Sequence, residues 1–220
     1  MTLGVRFPQL SVVNSVMRTV PIDAGLERTF AGGKFAVRKR MDGGYTIAHR
    51  HLSVADIIPD SFRLFFNFLP ALRVGWKGLR LRLGHRFLDE HRLKRRWRLD
   101  EKSPFEEVRV LDPEPVGSIL DEAAASLKQY YPAFREMRIA ERWAGVIDAT
   151  PDAIPVLSPV VDLPGFYLAS GFSGHGFGLG PGAGKLMADL VTGAKPCVDP
   201  APFRLSRYFD GSNPRPTTGL

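Results

Sequence analysis

The chain is short of cysteine, of membrane-length apolar runs and of charge spread evenly along its length. Each shortage removes a class of explanation. Cys197 is the only cysteine in 220 residues, which excludes an internal disulfide and any cysteine-built metal site; no metal centre is expected. No stretch approaches the roughly 18 uncharged apolar residues of a transmembrane helix, so no transmembrane segment is expected. The opening MTLGVRFPQL lacks the basic-then-apolar layout of a signal peptide, and a cytoplasmic location is the expectation. Internal repeats are absent as well.

Positive charge is plentiful but local. The net charge is +7, yet eleven Lys/Arg against two acidic residues fall between Arg63 and Arg98, so the rest of the chain is slightly acidic. A charge run is most simply a solvated face. The sharper reading is a binding module whose segment 63–98 contacts an anionic surface, either phosphates or the face of a membrane, which would make the protein membrane-peripheral. No nucleic-acid motif accompanies the run, and no nucleic-acid partner is expected. Within it, Leu72, Trp76, Leu79, Leu83 and Phe87 recur at spacings of three and four, which favours an amphipathic helix. Leu79, Leu81 and Leu83 also alternate with Arg80 and Arg82, as a strand would.

Elsewhere the elements are plainer. Residues 10–20 (LSVVNSVMRTV) are rich in β-branched side chains and read as a strand. Lys34 to Ala48 reads as a hairpin whose turn, Asp42-Gly43-Gly44, tolerates a left-handed backbone. An early pair of strands with so short a turn implies an antiparallel sheet. Val116 to Tyr131 is a helix with Leu120, Ala123, Ala124 and Leu127 on one face, ended by Pro132. Met137 to Ile147 is a strand, Asp148 to Pro164 a proline-punctuated loop, Phe166 to Ser170 a strand, and Gly182 to Thr192 a helix closed by Gly193. The last ten residues are expected to be disordered.

The densest signal is glycine. Seven of the fourteen residues from Gly171 to Gly184 are glycine, between a short strand and a helix. Glycine lets backbone approach a ligand closely, and a strand running into a helix presents unpaired N–H groups with the positive helix end behind them. Such a place holds an electron-rich group. A P-loop fails twice, because Leu179 stands at the first glycine position and Leu186 follows Lys185. A G-x-G-x-x-A fingerprint exists at Gly178, Gly180 and Ala183, but no core strand ending in an acidic residue follows it. A third alternative is that the glycines merely let helix pack on strand.

The segment GFSGHGFGLGPGAGKLMADLVTG resembles the C-terminal flavin-contacting motif of the FAD-dependent D-amino-acid oxidase superfamily, which includes glycine oxidases, sarcosine oxidases and D-amino-acid dehydrogenases. The preceding ERWAGVIDATPDAIPVLSPVVDLPGFYLASG resembles the same family's lead-in, and residues 141–193 carry the specific part of the match. The resemblance implies an α+β fold: an antiparallel substrate-domain sheet with flanking helices, then the strand, glycine loop and helix of an incomplete FAD-binding domain. Residues 1–140 would be the substrate-binding domain with a helical insertion, 141–195 the C-terminal part of the FAD-binding domain, and 196–220 a partly disordered tail.

The resemblance further implies FAD as cofactor, contacted by the backbone at Gly171, Ser173, Gly174, His175, Gly176, Phe177, Gly178 and Gly180, with the helix starting near Gly182 aimed at the pyrimidine side of the ring. The implied reaction removes a hydride from the carbon bearing nitrogen in a small-molecule amino acid or amine. No catalytic residue is assigned: His175 is more simply a hydrogen-bonding strut than an acid or base, Lys185 a solvated helix residue, and Trp143 core. The chain departs from the family pattern in three ways. Ile147 stands where many relatives carry an Arg that grips the substrate carboxylate. No Lys replaces the one that sarcosine-type relatives carry near Gly178, and no Cys near Gly145 offers covalent attachment, so FAD is expected to bind non-covalently. Arg38 and His49, on the hairpin, are the candidate carboxylate anchors. Finally, the family's N-terminal G-x-G-x-x-G unit is missing from these residues. The chain thus reads as a fragment or truncated form, inactive alone, that would need an N-terminal FAD-binding polypeptide.

Overall fold

A computed structural model describes residues 3–98, 100–212 and 214–216. Among the described residues nine strands form two sheets: β1 (Leu10–Thr19), β2 (Phe30–Gly32), β3 (Phe35–Lys39), β4 (Tyr45–His49), β5 (Ser53–Asp56), β6 (Leu79–Arg82), β7 (Ile139–Ala149), β8 (Val156–Pro159) and β9 (Tyr167–Ser170). Six α-helices accompany them: α1 (Pro59–Arg63), α2 (Phe65–Gly75), α3 (Arg86–Arg92), α4 (Pro104–Glu107), α5 (Gly117–Tyr130) and α6 (Gly176–Thr192). The arrangement is the mixed α+β fold that the sequence implies. Among the described residues no helix is long and apolar enough to cross a membrane.

Strand β1 is the spine of the larger sheet, whose order is β2-β3-β4-β1-β5-β6, with β7 on the other edge of β1. All its pairings are antiparallel except β5 with β6, which run parallel. The β3–β4 hairpin turns at Asp42-Gly43-Gly44 as expected: Gly43 has φ of 81° and the Asp42 carboxylate accepts the Gly44 N–H at 3.0 Å. In β1 the side chains alternate strictly. Val13, Ser15, Met17 and Thr19 are buried under α5, whose Ile119, Leu120, Ala123 and Leu127 close the main core together with Tyr45, Ile47 and Phe134. Each such apolar side chain contributes about 1.5–3 kcal/mol when fully buried. Ser15 Oγ accepts the Val116 N–H at 2.8 Å and anchors the start of α5. Leu10, Val12, Asn14 and Val16 face the other way.

The basic segment departs from the favoured single helix. It is broken into α2, a one-turn 3-10 helix at Trp76–Gly78, strand β6 and α3. Leu79 and Leu81 follow the alternating pattern because β6 docks edge-on to β5, with Ser53 opposite Leu79 and Ala55 opposite Leu81. Sheet pairing outweighs the local helical periodicity. A second layer consists of the β8–β9 hairpin, α6 and residues 201–208, two one-turn 3-10 helices packed through Leu205 against Val156 and Val160. Of the ten terminal residues expected to be disordered, 213 and 217–220 lie outside the described residues.

Candidate functional site

The glycine segment begins where β9 ends, and two neighbours fix its path. Gly171 has φ of 79°, and a Cβ there would stand 2.3 Å from Thr150 Cγ2, so only glycine fits. Its N–H donates to Asp148 Oδ2 at 2.6 Å, an oxygen that also takes Gln9 Nε2 at 3.0 Å. Ser173 is held in the left-handed region at φ of 50°, and its buried Oγ accepts the Thr150 N–H at 3.2 Å. The last residues of β7 and the Thr150 corner thus clamp the turn that leads into α6.

Helix α6 starts at Gly176, six residues before the expected Gly182. Glycine is a poor helix former, costing about 1 kcal/mol per residue against alanine, which is why the run reads as loop. Tertiary packing reverses that preference. Ala183 and Leu186 are buried against Leu157, and the Leu179 N–H closes the first turn onto the His175 carbonyl at 3.0 Å. The N–H groups of Gly176, Phe177 and Gly178 occupy the first turn, where a helix supplies no acceptor of its own. No side chain caps them and no acidic residue lies in that turn. A Cβ added at Gly178, Gly180, Gly182 or Gly184 would meet nothing within 4 Å, so bare backbone is open on two faces of the helix, Gly178 with Gly182 on one and Gly180 with Gly184 on the other.

A cavity of about 440 Å³ lies between this helix start and the outward face of the large sheet. Leu10, Val12, Asn14, Ile147 and Ala149 form its sheet wall. Phe62, Phe65, Phe68 and Leu72 of α1 and α2 cover it, and Ser173, Gly174 and His175 close one end. Gly174 packs on Ile147, whose Cδ1 lies 3.4 Å from where a Cβ would be. Among the described residues no Lys or Arg lines the cavity. Its one carboxylate, Asp56, is buried and bound by Arg82 at 2.6 and 3.0 Å and by Arg86 at 3.3 Å. The Arg82 guanidinium holds the Asp56 carboxyl below the usual carboxylate range. Asn14 Oδ1 is buried with no hydrogen-bond partner.

Ser173, Gly174 and His175 line the cavity's end, with Gly171 and Gly176 next to them along the chain but not in its lining, while Phe177, Gly178 and Gly180 continue around the first turns of α6, with the Phe177 ring fully exposed. Arg38 and His49 are elsewhere. Arg38 is an exposed residue of β3, level with Thr46 and Arg18 at the far end of β1. His49 closes the β4–β5 connection, its Nδ1 accepting the N–H groups of His51 at 3.2 Å and Leu52 at 3.1 Å. Burial lowers the His49 pKa. Neither lines the cavity.

One support of the site had no sequence signal. Asp152, fully buried, is bound by Arg207 at 2.8 and 3.2 Å, and Tyr208 Oη donates to the same carboxylate at 2.7 Å. Burial and this bond raise the Tyr208 phenol pKa. The C-terminal segment therefore ties down the Thr150–Asp152 corner that positions Ser173.

A family model described as "FAD dependent oxidoreductase" matches residues 12–190. The chain is similar to glycine oxidase of Pseudomonas aeruginosa, 33% identical over 92 residues that cover 42% of this chain and 25% of that protein. It is similar to sarcosine oxidase subunit beta of Arthrobacter sp., 30% identical over 95 residues covering 42% of this chain and 23% of that protein. Among solved structures, L-amino acid deaminase from Proteus myxofaciens in complex with anthranilate superimposes with a TM-score of 0.87 at 32% identity, over 93% of this chain and 46% of that one. Glycine oxidase from Geobacillus kaustophilus, with a TM-score of 0.61 at 17% identity over 93% of this chain and 41% of that one, shares the fold. The matches thus span about a quarter of the curated relatives and under half of the solved chains.

Proposed function

The chain belongs to the FAD-dependent oxidoreductase family, and from that premise we propose that its residues form the substrate cavity and the flavin-ring contact of an amino-acid or amine oxidoreductase. The resemblance read from residues 141–193 is borne out by the family match, as is the oxidoreductase type. The observation that carries the proposal is the uncapped start of α6 at the end of an apolar cavity. Three first-turn N–H groups beside the bare Gly178 and Gly182 suit the flat, electron-rich end of a flavin, whose reduced form gathers negative charge that such donors stabilise. Gly171, Ser173, Gly174, His175, Gly176, Phe177, Gly178 and Gly180 would hold it without a covalent bond.

Flavin held there would supply the acceptor for a hydride equivalent from the carbon that bears nitrogen, and the resulting imine would be hydrolysed by water. The chain's own residues would position the substrate. The aromatic side chains of α1 and α2 would face the reacting carbon, and Ile147 and Val12 would shape the wall behind it. Residues 1–140 would serve the substrate and 141–195 the flavin. The pyrophosphate end of FAD needs a G-x-G-x-x-G unit additional to these 220 residues, supplied by a further polypeptide segment. The purified chain supplemented with FAD, alone or with such a segment, should retain flavin absorbance at about 450 nm after desalting. Loss of all flavin in both cases would sink the reading.

The second reading keeps one observation of its own. Phe66 and Trp76 are 83% and 64% exposed beside Arg73 and Lys77, which make no ion pair among the described residues. A basic, aromatic surface of this kind suits a non-catalytic module that touches an anionic surface. Retention on heparin that falls steeply with salt supports it, and salt-insensitive or absent retention removes it.

A further inference from the structure

Strand β7 is bonded on one side only. Its inner edge pairs with β1, and among the described residues no strand lies along its outer edge. Helix α5 packs over β1, β3 and β4 and leaves that edge open. Every second residue of an edge strand turns its N–H and C=O outward, a template for pairing with another chain. The usual guards are missing from the middle of this one. Trp143 to Ile147 (WAGVI) holds no charge, no proline and no bulge. The two charges just before it are held within the chain, Glu141 by Arg18 and Arg142 by Asp121, each at 2.7 Å. Both ends of the open stretch are marked. Ala140 is an extra residue where the register shifts between Arg18–Glu141 and Thr19–Ile139, and such a bulge bends the strand out of line. At the other end the Asp148 carboxylate is taken up by Gly171 and Gln9. The regular edge therefore runs from Glu141 to Ile147, with Ala144 at its midpoint.

We propose that β7 pairs antiparallel with β7 of a second copy of this chain, about a two-fold axis through Ala144. In that register Trp143 of each copy lies opposite Gly145 of the other. Both residues are on the cavity side of the sheet, across β1 from Val16 and Asn14. Gly145 is exposed and a Cβ there would meet nothing within 4 Å, so the indole ring has room to lie over it. An aromatic side chain across from an edge glycine supplies the packing that glycine lacks. At the axis Ala144 meets its own counterpart with a small side chain. Glu141 comes opposite Ile147 and Arg142 opposite Val146, so no like charges face each other. A contact of this kind uses up the edge and closes at the dimer. The axis stands perpendicular to the sheet, which puts the two cavities on the same side of one continuous sheet. The pairing does not depend on the flavin reading.

Sedimentation velocity on the 220-residue chain, from about 1 to about 100 µM, should show a monomer giving way to a dimer and nothing larger. Hydrogen exchange at the two ends of that range should show amides within 141–147 slowing as the dimer forms. Trp143→Ala removes the ring, and Gly145→Lys sets a charged side chain where the ring would lie. Each should weaken the dimer at least about tenfold while far-UV circular dichroism stays unchanged. A chain that remains monomeric across the range overturns the inference and leaves the edge to a different polypeptide. A dimer whose 141–147 amides exchange as fast as in the monomer overturns it too, as does assembly beyond the dimer. So does a folded Gly145→Lys chain that dimerises with wild-type affinity. Should both variants fail to fold, the exchange pattern of the unaltered chain decides.

Discussion

Arg207 grips Asp152 through two hydrogen bonds, 2.8 and 3.2 Å, across 55 residues of sequence, and neither side chain touches solvent appreciably. The pair matters because the corner it holds also holds Ser173, and through it the entry to α6. Replacing Arg207 by Met strands a buried carboxylate, at a cost of about 3–5 kcal/mol. Urea denaturation should show that loss, and the double change Arg207→Met with Asp152→Leu should recover most of it. Equal instability of the single and double variants would mean that the pair is not the anchor.

Gly171→Ala should be worse than its size suggests. The backbone there is left-handed and the new methyl meets Thr150 Cγ2. Strain alone is worth about 1–3 kcal/mol. The variant should unfold at lower urea and lose flavin absorbance before it loses far-UV circular dichroism. A wild-type denaturation midpoint would contradict the geometry of the turn.

The pH dependence of stability carries a histidine component with a defined sign. Burial lowers the folded pKa of His49 below its ordinary 6.5, so the unfolded chain binds that proton more readily. Stability from this group is complete above about pH 6.5 and falls as pH drops toward the folded pKa. Protonation also costs Nδ1 the two N–H groups it accepts. His49→Gln should flatten the slope of unfolding free energy in that acidic window, measured by urea titration at a series of pH values. An unchanged slope would place the histidine's proton balance elsewhere.

Ile147→Arg should favour a ligand that carries a carboxylate. It introduces a guanidinium into a wall that has none, beside Gly174 and opposite Val12. Phenylalanine affinity should rise about tenfold or more relative to phenethylamine, the scale of one charge-assisted contact. Titration of both ligands against the variant gives the answer directly, and an unchanged ratio would show that position 147 does not face the ligand.

The elements that could be read from sequence are those whose cause is local. The Asp42-Gly43-Gly44 turn, the alternation in β1 and the apolar face of α5 are written within a few residues of where they act. Strand β6 was obscured because its leucines fit two periods, and only the edge of β5 decides between them. The start of α6 was placed late because a glycine run has no helical propensity of its own, while the packing that imposes helix comes from Leu157. The residues proposed to contact the flavin come from family resemblance and not from any local pattern. Asp152 with Arg207, and Asn14 with Gly145, were not, because each is defined by two places that only folding brings together.

Strand β1 gives its residue numbers a parity. Odd positions from 13 to 19 belong to the core under α5, and even positions from 10 to 14 line the cavity. Substitution at an even position can retune the pocket while the core keeps its packing. Insertion or deletion of a single residue does something else: it exchanges the two sets, driving Asn14 into the core and Met17 toward the ligand. Variation in what this site accepts is therefore open to point changes and closed to shifts of frame along that strand.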